Sequence, residues 1–200
     1  MSRLSLCLSL LCTLSLACGD GSNDETAGSS SSGATSDTPT GEPIALDCNT
    51  YCTTITSNCT AQNAQYASMA QCETSCGAFA LGTDADQMGN TLGCRIYHAG
   101  AAAGAPETHC THAGPGGNNQ CGSNCEGFCA LASFACPGSF SDGEACMSAC
   151  AGYPDSEPFD AADVGGDTLA CRLYHLTVAS EAPTVHCPHI LPDSEPCGGA

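Results

Sequence analysis

Sixteen cysteines between Cys48 and Cys197 fall into two sets of eight with one spacing rule, and this constrains the fold more than any other feature of the chain. The first set is Cys48, Cys52, Cys59, Cys72, Cys76, Cys94, Cys110 and Cys121; the second is Cys125, Cys129, Cys136, Cys146, Cys150, Cys171, Cys187 and Cys197. Both run C-x3-C-x6-C, a gap of 12 or 9, C-x3-C, a gap of 17 or 20, C-x15-C, then a gap of 10 or 9 to the last. The best-matched block is Gly89-Asn90-Thr91-Leu92-Gly93-Cys94-Arg95-Ile96-Tyr97-His98 against Gly166-Asp167-Thr168-Leu169-Ala170-Cys171-Arg172-Leu173-Tyr174-His175, identical at seven of ten positions. An even set in each copy lets each repeat close four bridges of its own, although spacing alone leaves roughly a hundred pairings open.

Composition explains why bridges are needed. From Ile44 onward only 28 of 157 residues are Val, Ile, Leu, Met, Phe or Tyr. The 42% hydrophobic content of the chain is inflated by 29 alanines and 19 cysteines. So few large apolar side chains cannot build a large conventional core, and the cysteine density is that of a disulfide scaffold in an oxidising compartment. A cytosolic home and a large α/β enzyme are therefore not expected. Nucleic acid is excluded as a partner, because the basic side chains are Arg3, Arg95 and Arg172 against 21 acids and no lysine.

Helical periodicity organises the cysteines. Cys48, Cys52 and Cys59 lie at i, i+4 and i+11, nearly one face of a helix, and Cys72 and Cys76 do the same on a second segment. A third helix is predicted to start at Asn90 or Thr91, and at Asp167 or Thr168 in the second copy, residues suited to N-capping, and to fade before Pro106 and Pro183. A loop would follow, holding His109-Cys110-Thr111-His112 or His186-Cys187-Pro188-His189, and a Cys94–Cys110 or Cys171–Cys187 bridge would fold it back on the helix. The expected fold class is small, mostly α and disulfide-rich: two tandem three-helix modules with C-x3-C helix pairs, after a disordered tether. The paired segments resemble the twin C-x3-C helical hairpin, in which outer cysteine joins outer and inner joins inner. That resemblance implies Cys48–Cys76, Cys52–Cys72, Cys125–Cys150 and Cys129–Cys146.

The first residues suggest an address. Arg3 is followed by seven leucines in the fourteen uncharged positions from Leu4 to Ala17. This reads as a secretory signal peptide over residues 1–17, too short to span a bilayer permanently. Leu14-Ser15-Leu16-Ala17-Cys18 resembles the lipobox of bacterial lipoproteins, which implies lipidation of Cys18; plain secretion after cleavage behind Ser15-Leu16-Ala17 is the alternative. Cys7 and Cys12 would leave with the signal. Residues 18–43 are Ser, Thr, Gly and acid with no large apolar side chain, a disordered tether spanning about 28 Å. Cysteine-rich repeats would occupy 44–122 and 123–200. Removal of the signal would leave two arginines against 21 acids, a net charge of −19.

The chemistry, if any, sits on the six histidines. His98, His109 and His112 have counterparts in His175, His186 and His189, and the chain has no other histidine. Cys94 and His98 share a helix face, so the Cys94–Cys110 bridge would bring His98 close to His109 and His112. Three convergent imidazoles could hold Zn(II) or Cu(II) with an open position. The alternative is structural: imidazoles hydrogen-bonded to carbonyls or acids in a core short of apolar filling. Arg95 and Arg172 are expected to meet a carboxylate or to cap carbonyls near a helix end. Asp84-Ala85-Asp86 starts like a calcium loop, but Met88 and Arg95 stand where ligands are required. No C-x-x-C, G-x-S-x-G, H-E-x-x-H or phosphate-binding loop is present. Two readings result. One is a non-enzymatic lipoprotein of the bacterial envelope or surface, without cofactor, held to the membrane by lipid and presenting two disulfide-stapled modules for binding or envelope interaction, the protein or glycan partner being unknown. The other is an extracytoplasmic Zn- or Cu-binding protein using three histidines per repeat.

Overall fold

The computed structural model describes residues 44–198; the expected signal peptide, the expected tether and Cys18 lie outside the described residues. Among the described residues there are eight α-helices and no strand, only an isolated bridge between Ala80 and Thr91. The first repeat carries α1 (Cys48–Asn58), α2 (Met69–Cys76), α3 (Leu92–Ala101) and α4 (Pro106–Ala113). The second carries α5 (Asn124–Ala135), α6 (Gly143–Cys150), α7 (Leu169–Ala179) and α8 (Pro183–His186), the last running into a 3-10 turn at Cys187–Ile190. No helix among the described residues is long and apolar enough to cross a membrane.

Side-chain caps start most of these helices. Asp47, Ser68, Thr91, Asp142 and Thr168 each accept a bond from the backbone three residues on, and Ser123 forms a reciprocal capping box with Glu126. The third helix of each repeat starts where the capping residues indicate, after Thr91 and Thr168. Its sequel departs from expectation, since the H-C-x-H segments are not loops. Pro106 and Pro183 open α4 and α8 from the first helical position, where the missing N–H costs nothing, so each repeat has a fourth helix.

Eight disulfides close the fold, and every one stays inside its own repeat. The hairpins α1/α2 and α5/α6 pair as the twin C-x3-C resemblance implies: Cys48–Cys76, Cys52–Cys72, Cys125–Cys150 and Cys129–Cys146. The Cys94–Cys110 and Cys171–Cys187 pairings are wrong. Cys110 joins Cys59 and Cys94 joins Cys121; likewise Cys187 joins Cys136 and Cys171 joins Cys197. Helix register is the reason. The four-residue connection returns α4 antiparallel to α3, so that His98 meets His109 and Arg95 reaches the carbonyl of Gly114. In that register Cys94 lies opposite Ala113, about one turn beyond Cys110, and Cys110 turns instead to the end of α1.

The two repeats share one buried cluster, which runs from Tyr51, Ile55 and Phe79 to Phe128, Leu131, Leu169, Leu173 and Leu176. Helix α2 packs on α7. Gln65 donates to the carbonyl of Phe159 at 3.0 Å, Ala161 N–H to the carbonyl of Ala64 at 2.7 Å, and the Ser75 hydroxyl to the carbonyl of Thr177 at 3.4 Å. The scarce large side chains are thus pooled, and the bridges supplement one core rather than replacing two.

Candidate metal centre

Each α3-type helix projects an arginine and a histidine toward the segment that follows it. Arg95 is wholly buried, lies 3.7 Å over the Phe79 ring, and donates to the carbonyls of Thr91, Gly114 and Pro115. Arg172 lies 3.8 Å over Tyr153 and donates to the carbonyls of Thr168 and Pro192, with Asp167 at 3.0 Å. These contacts tie the start of the helix to the chain beyond the H-C-x-H, so both arginines are structural clamps.

One turn on, His98 is 4% exposed. Its Nε2 faces the carbonyl of Gln87 at 3.2 Å. A carbonyl only accepts, so in the neutral ring Nε2 carries the proton and Nδ1 carries the lone pair. That Nδ1 lies 2.9 Å from Nδ1 of His109, while Nδ1 of His112 is buried without a hydrogen-bond partner. The ligand nitrogens of His98, His109 and His112 all lie within 4.8 Å of one another.

The second repeat reproduces the arrangement. His175 Nε2 faces the carbonyl of Val164 at 3.3 Å, leaving Nδ1 with the lone pair. Two nitrogens crowd that single lone pair: Nδ1 of His186 at 2.9 Å and Nδ1 of His189 at 3.2 Å. An imidazole nitrogen has one in-plane lone pair, so one proton can satisfy one of these contacts but not both. A cation at the common point satisfies all three rings. Tetrahedral ligation with zinc–nitrogen bonds of 2.0–2.1 Å separates ligand nitrogens by about 3.3–3.4 Å, close to the 3.2 Å between His175 and His189 and about half an ångström beyond the 2.9 Å between His175 and His186. The proton on the far nitrogen held by a backbone carbonyl is the outer contact that fixes a metal-binding imidazole.

Electrostatics favour the neutral, ligand form of His98, His112, His175 and His186. Burial, above all, holds His98 and His112 below the usual imidazole range, and the neighbouring histidines push the same way; for His98 the Gln87 carbonyl opposes them. Burial and then His189 push His175 down to about 4. His186 is lowered by burial and His189, against the opposing pull of Glu181. The sulfurs of Cys94 and Cys121 approach His98, as do those of Cys171 and Cys197 His175, but each pair is a disulfide and offers no thiolate. The donor set is therefore imidazole alone, suited to zinc or copper rather than to calcium or magnesium.

The two histidine triads are those expected from the sequence, whereas Gln87, Val164 and Gln120 were not singled out there. The first two act through backbone carbonyls, which any residue could supply. Gln120 donates to the same Gln87 carbonyl at 2.9 Å, and only its lack of a counterpart at Pro196 marks it.

The model of the BfoA family C-terminal domain matches the chain twice, over residues 34–124 and 123–199. The chain belongs to that family. Each BfoA-type segment contains one complete histidine triad and one set of four bridges. No curated protein and no solved structure matches this BfoA-family chain.

Proposed function

We propose that this BfoA-family chain is a non-enzymatic, extracytoplasmic metal-binding lipoprotein, with Zn(II) or Cu(II) held by His98, His109 and His112 in one repeat and by His175, His186 and His189 in the other. The observation that carries the reading is the pair of nitrogens, at 2.9 and 3.2 Å, on the one lone pair of His175. The net acidity of the chain, −18, favours accumulation of cations and opposes contact with nucleic acid. Eight disulfides suit an oxidising compartment. Cys18, in its lipobox-like setting, is the proposed attachment to the membrane, with residues 18–43 as the spacer.

Metal analysis of the purified protein tests the first half. Two equivalents of zinc or copper are expected, falling to one in either His98→Ala or His175→Ala. Uptake that ignores these substitutions would return the imidazoles to a structural role. For the anchor, Cys18→Ser is expected to abolish incorporation of labelled fatty acid and to release the protein from membranes.

A further inference from the structure

We infer that the two triads are unequal, the first binding its ion more tightly, and that Gln120 is the positioning residue that sets the difference; this rests on the metal-binding reading above. The carbonyl of Gln87 accepts two bonds, from His98 Nε2 at 3.2 Å and from Gln120 Nε2 at 2.9 Å. The carbonyl of Gln120 in turn accepts from Gly89 N–H at 2.9 Å, so the segment 87–89 is held at both ends by one residue. Gln120 is itself fixed by its neighbour Cys121, which is bridged to Cys94 on α3. The ring of His98 is thus braced from its far nitrogen through a closed set of contacts.

The second repeat keeps the backbone half of this device and lacks the side-chain half. Pro196 stands where Gln120 does, and its carbonyl accepts from Gly166 N–H at 3.1 Å, as the carbonyl of Gln120 accepts from Gly89. Proline offers no side-chain donor, and Val164 meets the His175 ring alone at 3.3 Å. In helical support the other two ligands differ in the same direction, although His189 lies 3.2 Å from His175 Nδ1 and His112 Nδ1 makes no such contact with His98. His109 and His112 sit three residues apart on the eight-residue helix α4. Pro188 replaces Thr111, and α8 stops at His186, leaving His189 on the 3-10 turn. Ligands already held in place lose less freedom when the ion arrives, and outer contacts to metal-bound histidines typically change affinity by about 10- to 100-fold.

The test is competition of Zn(II) between a chromophoric chelator and the full-length chain. His175→Ala/His189→Ala leaves the first site alone to be read, and His98→Ala/His112→Ala leaves the second. The first is expected to bind about tenfold more tightly, and the unsubstituted chain to fill in two steps. Gln120→Met keeps the bulk of the side chain but loses the donor and adds no charge beside the site. It is expected to weaken the first site about tenfold and leave the second unchanged, with the thermal midpoint of the metal-free protein unmoved. Equal affinities in the two single-site chains, a tighter second site, or a Gln120→Met effect that is absent or shared by both sites would overturn the inference while leaving metal binding intact. Failure of the unsubstituted chain to bind Zn(II) or Cu(II) at all would instead remove the reading on which it rests.

Discussion

At the scale of single residues, four histidines contribute a pH dependence between neutrality and pH 4. His98, His112, His175 and His186 are all lowered in the folded state, mainly by burial. A folded-state value below the unfolded one means that the native protein binds fewer protons. Their contribution to stability is complete above the unfolded value, near 6.5, and is lost as the pH falls toward the folded value, about 4 for His175. Chemical denaturation of the metal-free protein is therefore expected to show falling stability from pH 7 to pH 4; a flat profile would mean the rings titrate as if exposed. Bound metal competes with the same protons, so ions should leave over the acidic part of that range. The convergence of His98, His109 and His112 was expected from a Cys94–Cys110 bridge that does not form; the antiparallel return of α4 along α3 brings the same residues together. The tautomer was not legible, since it depends on the carbonyl of Gln87, whose side chain is irrelevant to the role.

Prolines show where reading by elements succeeds and fails. The third helix of each repeat ends before Pro106 or Pro183 as expected, but the loop expected after it is a helix that the proline opens, because proline is excluded from helix interiors and welcome at the first position. The preceding residues, Ala105 and Ala182, have no capping side chain to announce a start. The misplaced Cys94–Cys110 bridge has the same source, since a loop has no register and a helix does. Pro188→Thr would recreate the H-C-T-H of the first repeat. It is expected to lengthen α8, raise helical circular dichroism and tighten the second site toward the first; unchanged ellipticity would show that other contacts end the helix. Gly93 makes a second point. A side chain there would collide with the carbonyl of Thr83, whereas its counterpart Ala170 is accommodated beside a longer preceding loop. Gly93→Ala should cost about 1–3 kcal/mol in denaturant titration, and full stability would show that segment 82–84 yields.

Across the whole molecule, the cysteine spacing announced the repeat and the hairpins, while the shared core was beyond its reach. Nothing local in Gln65 or Ser75 signals bonds to Phe159 and Thr177, about a hundred residues away, because such contacts depend on how the two helical sets close over one another. The pooled core predicts that residues 123–200 expressed alone melt at a lower temperature than the same repeat in the full chain by calorimetry. Coincident midpoints would make the repeats independent. Alkylation of the folded protein without reductant should modify none of the sixteen cysteines from Cys48 to Cys197, as all are bridged. Because no bridge joins one repeat to the other, the last partner needed by the first repeat, Cys121, precedes Cys125 in the chain. A polypeptide that emerges amino end first therefore presents all eight partners of one repeat before the set of the next is complete, and no correct bridge has to wait for a thiol of the other set.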